Sequence, residues 1–182
     1  MKKRIFLGIK IGAKLYPPIL RWRKKYPGKL SVRWIKEENL HITLLPPWYE
    51  ESSNIKNQIL KIEKIIPKIN PFLLKFNYVG YGPENKRPRL IWAEGESPKE
   101  IMKLKNGLEK IILIKPQSRD FKLHLTLARF RPKDFKKFSI NKINDKVFWE
   151  QIVDSFCLFE SRLSPKGAEY KILKKFNLQS QT

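Results

Sequence analysis

Two stretches of the chain decide the fold: 39–45, Asn-Leu-His-Ile-Thr-Leu-Leu, and 122–130, Lys-Leu-His-Leu-Thr-Leu-Ala-Arg-Phe. Each alternates between apolar residues and residues able to hydrogen bond, which is typical of a half-buried β-strand. In each, the histidine and the threonine two residues later share one face of the strand, above an apolar underside. The repeat predicts two similar strands, each presenting an imidazole beside a hydroxyl.

The two histidines are the only ones among 182 residues, and both are followed by x-Thr-Leu. An imidazole can take or give a proton near neutral pH, and a threonine hydroxyl can donate to a phosphate oxygen. We therefore predict that His41 and His124 act as general acid and general base on one phosphate, with Thr43 and Thr126 beside them. The alternative is that both histidines are structural and both threonines simply favour strands. The duplication argues against that alternative.

Other kinds of catalytic site find less support. Two histidines without an obvious carboxylate cluster fall short of the three protein ligands that a catalytic zinc uses. The chain also lacks the Gly-x-x-x-x-Gly-Lys-Ser/Thr loop with which many ATPases hold phosphate. We expect no metal, no cofactor and no ATP.

Hydrophobic periodicity predicts the remaining elements, worked outward from the two motif strands. Pro46-Pro47 is expected to end the first of these strands, and Ser164–Gly167 has the chemistry of a chain reversal. The other predicted strands are 4–11, 32–35, 72–81, 90–93, 145–159 and 171–178, and the predicted helices are 15–25, 55–66 and 97–112. No linker separates domains, so we expect one globular unit spanning 1–182.

The charge balance points to a polyanionic partner. Lys+Arg 39 against Asp+Glu 17 gives a net charge of +22, which favours nucleic acid. The alternative is a lysine-rich surface that serves solubility. Cys157 is the only cysteine and therefore excludes an intramolecular disulfide, and no signal peptide or transmembrane stretch is visible. We expect a cytoplasmic monomer that does not bind membranes.

The sequence resembles the two-histidine (2H) phosphoesterase superfamily, and within it the LigT-like RNA 2',3'-cyclic phosphodiesterases, historically called 2'-5' RNA ligases. The resemblance rests on both motifs and covers nearly the whole chain. Its segments are Arg4-Ile5-Phe6-Leu7-Gly8-Ile9, Glu38 to Leu44, His124 to Arg129, Phe156 to Ser161, and Leu163, Pro165, Gly167 and Tyr170.

This resemblance implies an α+β, bilobal fold of two pseudo-symmetric antiparallel sheet-plus-helix halves around a central cleft lined by the motif strands. It implies that both histidines are catalytic and that Thr43, Thr126 and Arg129 bind the phosphate. By strict alternation Arg129 points away from the His124 face, so it reaches the phosphate only if the strand bulges or ends there. The first motif departs from the better-known members by continuing as Leu45-Pro46-Pro47-Trp48-Tyr49, and Trp48 is a candidate for stacking on a base.

The function implied is metal-independent hydrolysis of RNA 2',3'-cyclic phosphate ends to 2'-phosphates, with reversible 2'-5' ligation as a secondary activity. Two alternatives stay open. One is another 2H phosphodiesterase, either a 3'-end RNA exonuclease or a hydrolase of small cyclic nucleotides. The other is a non-catalytic RNA-binding module that uses only the basic charge.

Overall fold

The computed structural model describes residues 1–26, 28, 30–64, 66, 69–84, 86–112, 120–164 and 167–179. Its strands are β1 (Lys2–Lys10), β2 (Arg33–Trp34), β3 (His41–Glu51), β4 (Phe72–Gly82), β5 (Leu90–Gly95), β6 (Leu123–Arg129), β7 (Asn144–Val153), β8 (Ser155–Ser164) and β9 (Gly167–Asn177). Its helices are α1 (Tyr16–Arg23), α2 (Ile55–Glu63) and α3 (Lys99–Ile112). None of the helices among the described residues is long and apolar enough to cross a membrane.

The strands form two antiparallel sheets. The first has the order β3-β1-β8-β9 and the second the order β2-β6-β5-β4-β7. The predicted α+β class with two antiparallel sheets is therefore confirmed. The two sheets are not sequential halves of the chain, because β8 and β9, from its C-terminal part, complete the sheet that β1 and β3 begin.

One continuous apolar core joins the sheets. The alternating apolar residues of β1 and of the position after it are buried as the sequence predicted, since Ile5, Leu7, Ile9 and Ile11 are each at most 1% exposed. They belong to the same cluster as Leu125 of β6, in the other sheet. Helix α3 packs against α2 and β3 and covers part of this core.

Side-chain hydrogen bonds also fix one sheet against the other. The carboxamide of Gln151 in β7 accepts from the backbone N–H of Gly12 at 2.8 Å and donates to the carbonyl of Lys10 at 3.0 Å. The Trp22 indole donates to Asp145 at 2.7 Å. These bonds link the end of β1 and helix α1, in the N-terminal part of the chain, to β7 of the second sheet.

Two predicted strand boundaries are wrong. β3 continues through Pro46 and Pro47 to Glu51. Prolines are tolerated there because β3 is an edge strand paired only with β1, and the register between the two strands shifts across the prolines. The single strand predicted at 145–159 is two strands, because the chain leaves the second sheet and enters the first at Asp154. The polar pair Asp154-Ser155 lies at that change of sheet, but the sequence analysis did not use it as a boundary.

The predicted chain reversal at Ser164–Gly167 joins β8 to β9. Ser164 pairs with Gly167 at the end of this hairpin, and the Ser164 hydroxyl donates to the Gly167 carbonyl at 2.9 Å. Residues 165 and 166 lie outside the described residues. The hairpin brings Tyr170 of β9 to the face of the first sheet that carries His41.

Candidate active site

The two motif strands lie side by side although they belong to different sheets. Cα atoms of β3 and β6 come within 8 Å of each other. Ile42 is fully buried in the core, which leaves its neighbours His41 and Thr43 half-buried on the opposite face, and β6 repeats this alternation. His41 and His124 are close enough to interact electrostatically. The structure thus brings both histidines into one site.

Both imidazoles are held by the same contact. Nδ1 of His41 lies 2.7 Å from the carbonyl oxygen of Asn39, and Nδ1 of His124 lies 2.8 Å from that of Lys122. A carbonyl oxygen can only accept, so each Nδ1 carries the proton and donates it. Each Nε2 is therefore left with a lone pair, ready to take a proton from substrate or water and to return one.

Aromatic side chains fix the plane of each imidazole. The His41 ring lies 4.9 Å from Phe6 and 5.0 Å from Tyr170, measured between ring centroids. The His124 ring lies 4.9 Å from Trp92. The sequence analysis missed all three contacts, because the aromatic residues lie on β1, β9 and β5, far along the chain from the histidines they touch. These contacts can be identified only from the pairing of residues between neighbouring strands.

A glycine leaves room for the first motif. Gly8 of β1 lies directly opposite Thr43. A Cβ at Gly8 would lie 2.7 Å from the carbonyl oxygen of Ile42 and 3.6 Å from Cδ2 of His41. The bare backbone at this position therefore allows β1 and the motif strand to approach each other below the imidazole.

A β-bulge brings Arg129 to the site. Thr126 pairs with Trp92, the next paired residue is Ala128, and Leu127 is the extra residue. Leu127 and Ala128 are both buried in the core, so the strand changes its alternation and Arg129 returns to the face of Thr126. The sequence analysis expected Arg129 to reach the phosphate only if the strand bulged or ended there, and this bulge meets that condition.

The first motif strand carries the matching bulge without an arginine. Thr43 is paired, Leu45 is the next paired residue, and Leu44 is extra. The position equivalent to Arg129 is therefore occupied by Pro46. The two copies supply two imidazoles and two hydroxyls, but at this position they supply one guanidinium, which makes the charge of the site asymmetric.

A cavity of about 360 Å³ opens at this site. Its lining includes His41, Thr126, Arg129 and Tyr170. His124 and Thr43 are not among the lining residues, so the cavity covers part of the motif face rather than all of it. Its size suits a phosphate with part of a nucleoside.

Burial lowers the pKa of both imidazoles. For His41 desolvation carries the pKa down to about 4, against its backbone hydrogen bond, which raises it, while the charges of Arg129 and His124 lower it further. For His124 desolvation also lowers the pKa, and its backbone hydrogen bond and the carboxylate of Glu94 act in the opposite direction. At neutral pH the Nε2 of His41 is therefore unprotonated.

The residues opposite the two histidines carry opposite charges. Lys10 of β1 is the cross-strand partner of His41, and Glu94 of β5 is the cross-strand partner of His124. A residue and its partner across an antiparallel pair share one face of the sheet. The negative charge beside His124 favours its protonated form, so the two imidazoles differ in how readily they keep a proton.

Trp48 lies inside β3 rather than in a loop after it. It is paired with Ile5 and packs, partly buried, against the main core. The register shifts along β3 place it on the core side of the sheet, and it is not among the residues that line the cavity beside His41. Its contact with substrate stays a prediction.

The described residues contain no cluster of three or more His, Cys, Asp or Glu side chains that could hold a metal ion. Metal independence stays a prediction that needs an assay. Independence of ATP likewise stays a prediction that needs an assay.

The chain matches the family model described as LigT-like phosphoesterase over residues 11–92. It is 31% identical over 178 residues to a curated RNA 2',3'-cyclic phosphodiesterase from Archaeoglobus fulgidus, covering 95% of this chain and 99% of the relative.

Solved structures show the same fold. The crystal structure of E. coli LigT complexed with 3'-AMP superposes with a TM-score of 0.82 at 23% identity, over 99% of this chain and 100% of that chain. E. coli LigT complexed with ATP gives a TM-score of 0.77 at 22% identity, over 99% of this chain and 100% of that chain.

Proposed function

This chain belongs to the LigT-like phosphoesterase family, and from that premise we propose that it hydrolyses 2',3'-cyclic phosphate ends of RNA by two-histidine acid–base catalysis. The observation that carries the proposal is the pair of imidazoles on adjacent strands, each with Nδ1–H bound to a carbonyl and Nε2 free. The curated relative named above carries the name of this activity.

The difference in electrostatics supports different roles for the histidines. His41, with its pKa lowered to about 4, is the base, and its Nε2 removes a proton from water. The water oxygen attacks phosphorus and the bond from phosphorus to the ribose 3'-oxygen breaks. His124, whose protonated form is favoured by the carboxylate of Glu94, is the acid: its imidazolium keeps Nδ1–H on the Lys122 carbonyl and gives the proton on Nε2 to the departing 3'-oxygen. The product is a 2'-phosphate with a free 3'-hydroxyl.

Hydrogen-bond donors around the phosphate stabilise the charge that develops on it. Thr43 and Thr126 stand two residues after the histidines on the same faces, and their hydroxyls donate to non-bridging oxygens. Arg129, brought to the face of Thr126 by the bulge, supplies a positive charge. Fixed donors of this kind contribute most where water is excluded, as at the half-buried histidines.

The same site can use an RNA 5'-hydroxyl in place of water. His41 then removes the proton of the 5'-hydroxyl, the 5'-oxygen attacks phosphorus, the bond to the ribose 3'-oxygen breaks, and His124 protonates that oxygen, which forms a 2'-5' linkage. We expect ligation to be slower than hydrolysis, because water is present at far higher concentration than an RNA 5'-end. A non-catalytic RNA-binding module would not need an Nε2 without a hydrogen bond on His41 and His124. It would also not need the bulge at Leu127 that brings Arg129 to the catalytic face.

Several expectations accompany this proposal. We propose that residues 1–182 act as one bilobal domain and as a monomer that uses neither ATP nor membrane. A reducing cytosol suits the single cysteine, Cys157, which is buried with a free thiol. Light scattering tests the monomer, and assays with and without ATP test the nucleotide requirement.

Product analysis tests the function directly. A 2',3'-cyclic nucleotide is incubated with the protein in the presence of chelator, and the product is identified by phosphorus NMR. The expected product is the nucleoside 2'-phosphate, formed at an unchanged rate with chelator. A 3'-phosphate product would contradict the proposed leaving oxygen, and a strict need for divalent metal would contradict the mechanism.

A further inference from the structure

Three arginines converge at one corner of the second sheet, next to the catalytic face. Arg33 of β2 lies directly opposite Arg129 of β6, and Leu90, the residue after Arg89, lies opposite Arg129 on the other side. The backbone carbonyl of Arg89 accepts from the N–H of Phe130 at 3.1 Å, which fixes the segment beside Arg129.

These guanidiniums repel one another, and the two carboxylates that line the same cavity among the described residues, Glu38 and Glu169, form no ion pair with them. Burial lowers the pKa of Arg129, and the charges of Arg33 and Arg89 lower it further. Within the described part of the chain no acidic side chain forms an ion pair with any of the three. By contrast, Arg131 is held by Asp134 at 2.7 Å. A cluster of like charges without a protein counterion suits an anionic ligand.

The arginine cluster lies between the catalytic cavity and a second cavity. Arg33 and Arg129 line the cavity that holds His41 and Thr126. Both also line a second cavity of about 710 Å³, whose wall includes Val32 and Phe130. The two arginines therefore stand on the boundary between the two cavities.

Arg33 is exposed to solvent and its guanidinium lies beside the β8–β9 hairpin. Its Nη1 would lie 3.6 Å from a Cβ at Gly167, which has a φ of +127°. Glu38, which lines the first cavity with Arg33, pairs instead with Lys36 at 3.9 Å. The guanidinium is therefore free to present two parallel N–H donors to a phosphate.

We propose that Arg33 binds the internucleotide phosphate immediately 5' of the nucleotide that carries the cyclic phosphate. This rests on the proposed function, which assigns Arg129 to the cyclic phosphate itself. Cross-strand partners such as Arg33 and Arg129 lie side by side, as adjacent phosphates of one strand do. The RNA then leaves the catalytic cavity through the second cavity, and the preferred substrate is an oligonucleotide rather than a mononucleotide.

The test compares three substrates: a nucleoside 2',3'-cyclic phosphate, the same nucleotide with a 5'-phosphate, and a dinucleotide with a 2',3'-cyclic end. The measured quantity is the ratio of kcat/KM for the dinucleotide to kcat/KM for the mononucleotide. Arg33→Gln should lower this ratio by about ten- to a hundred-fold, the range for loss of a charge-assisted hydrogen bond. Arg87→Gln is the matched control, an exposed arginine near Arg89 that lines neither cavity, and should leave the ratio unchanged.

A second measurement does not depend on the variant folding. Replacing the dinucleotide's internucleotide phosphate by a neutral methylphosphonate should lower the ratio for the unmodified protein as Arg33→Gln does. An unchanged ratio in either experiment would overturn the second phosphate site. If the 5'-phosphate alone restores the full gain, the site takes a terminal phosphate rather than an RNA strand, which would also overturn the proposal.

Failure of the proposed function has a different signature. A protein that turns over none of the three substrates would refute the phosphodiesterase. The existence of the second phosphate site is then tested by the affinity for an uncleavable 2'-deoxy dinucleotide, measured for the unmodified protein and for Arg33→Gln. Equal affinities would overturn it.

Discussion

Replacing Gly8 by alanine tests whether the close approach of β1 to the first motif sets the geometry of His41. The added methyl carbon would lie 2.7 Å from the carbonyl oxygen of Ile42, well inside the 3.4 Å at which ordinary contact begins. The neighbour is backbone and cannot rotate away, so β3 must move. Ile42 lies between His41 and Thr43, and the displacement therefore reaches both groups.

The expected cost has two parts. Overpacking of this kind lowers the free energy of unfolding by roughly 1–3 kcal/mol. A shift of about 1 Å in a catalytic group can cost about 10²-fold in rate, so we expect kcat/KM on a 2',3'-cyclic nucleotide to fall by about 10- to 100-fold. Denaturant titration and steady-state kinetics on the same preparation measure the two effects.

Gly12 provides the matched control. A Cβ there would lie 3.6 Å from the Gln151 carboxamide oxygen, which is ordinary contact, and the Gly12 φ of −73° suits alanine. Gly12→Ala should therefore keep both stability, within about 0.5 kcal/mol, and activity. If Gly8→Ala also kept unaltered stability and kcat/KM, the proposed role of the close approach would be refuted.

Two further predictions concern charge. Burial lowers the pKa of His124 and the carboxylate of Glu94 partly opposes that effect, so Glu94→Gln should lower the pKa further. Because the general acid must be protonated, the alkaline limb of the pH profile of kcat/KM should then move to lower pH. An unmoved limb would contradict the assignment of His124 as acid. The affinity for an oligonucleotide should fall steeply with added salt, and the affinity for a mononucleotide should fall far less. The reason is that a net charge of +22 implies several contacts to RNA phosphates, and each contact releases counterions. A salt titration in which both affinities respond equally would show that the charge does not capture RNA.

The core of the site could be predicted from sequence because it depends on local patterns. Alternation placed His41 with Thr43 and His124 with Thr126, and duplication of the motif suggested that the pairs belong together. Those strands exist as predicted, although β3 extends further. Local patterns could not predict the bulge at Leu127, because a bulge exists only relative to the partner strand: on β5 no residue pairs with Leu127.

Long-range pairing accounts for what the sequence did not predict. Phe6, Trp92 and Tyr170 reach the imidazoles from other strands, and nothing in the local pattern around any of them indicates an active site. The end of the first motif strand was predicted wrongly for the same reason, since an edge strand tolerates prolines that elsewhere would end it, and Trp48 therefore lies inside β3. The opposite charges of Lys10 and Glu94 likewise become informative only once register is known.

The most direct test of the central claim is the turnover of His41→Ala, His124→Ala and the double variant on a 2',3'-cyclic nucleotide, with circular dichroism to confirm folding. If the histidines act as paired base and acid, each single variant should lose roughly two to four orders of magnitude in kcat. The double variant should lose little more than the worse single variant, because groups that act in one step are not additive. Near-full turnover by either folded single variant would contradict two-histidine catalysis.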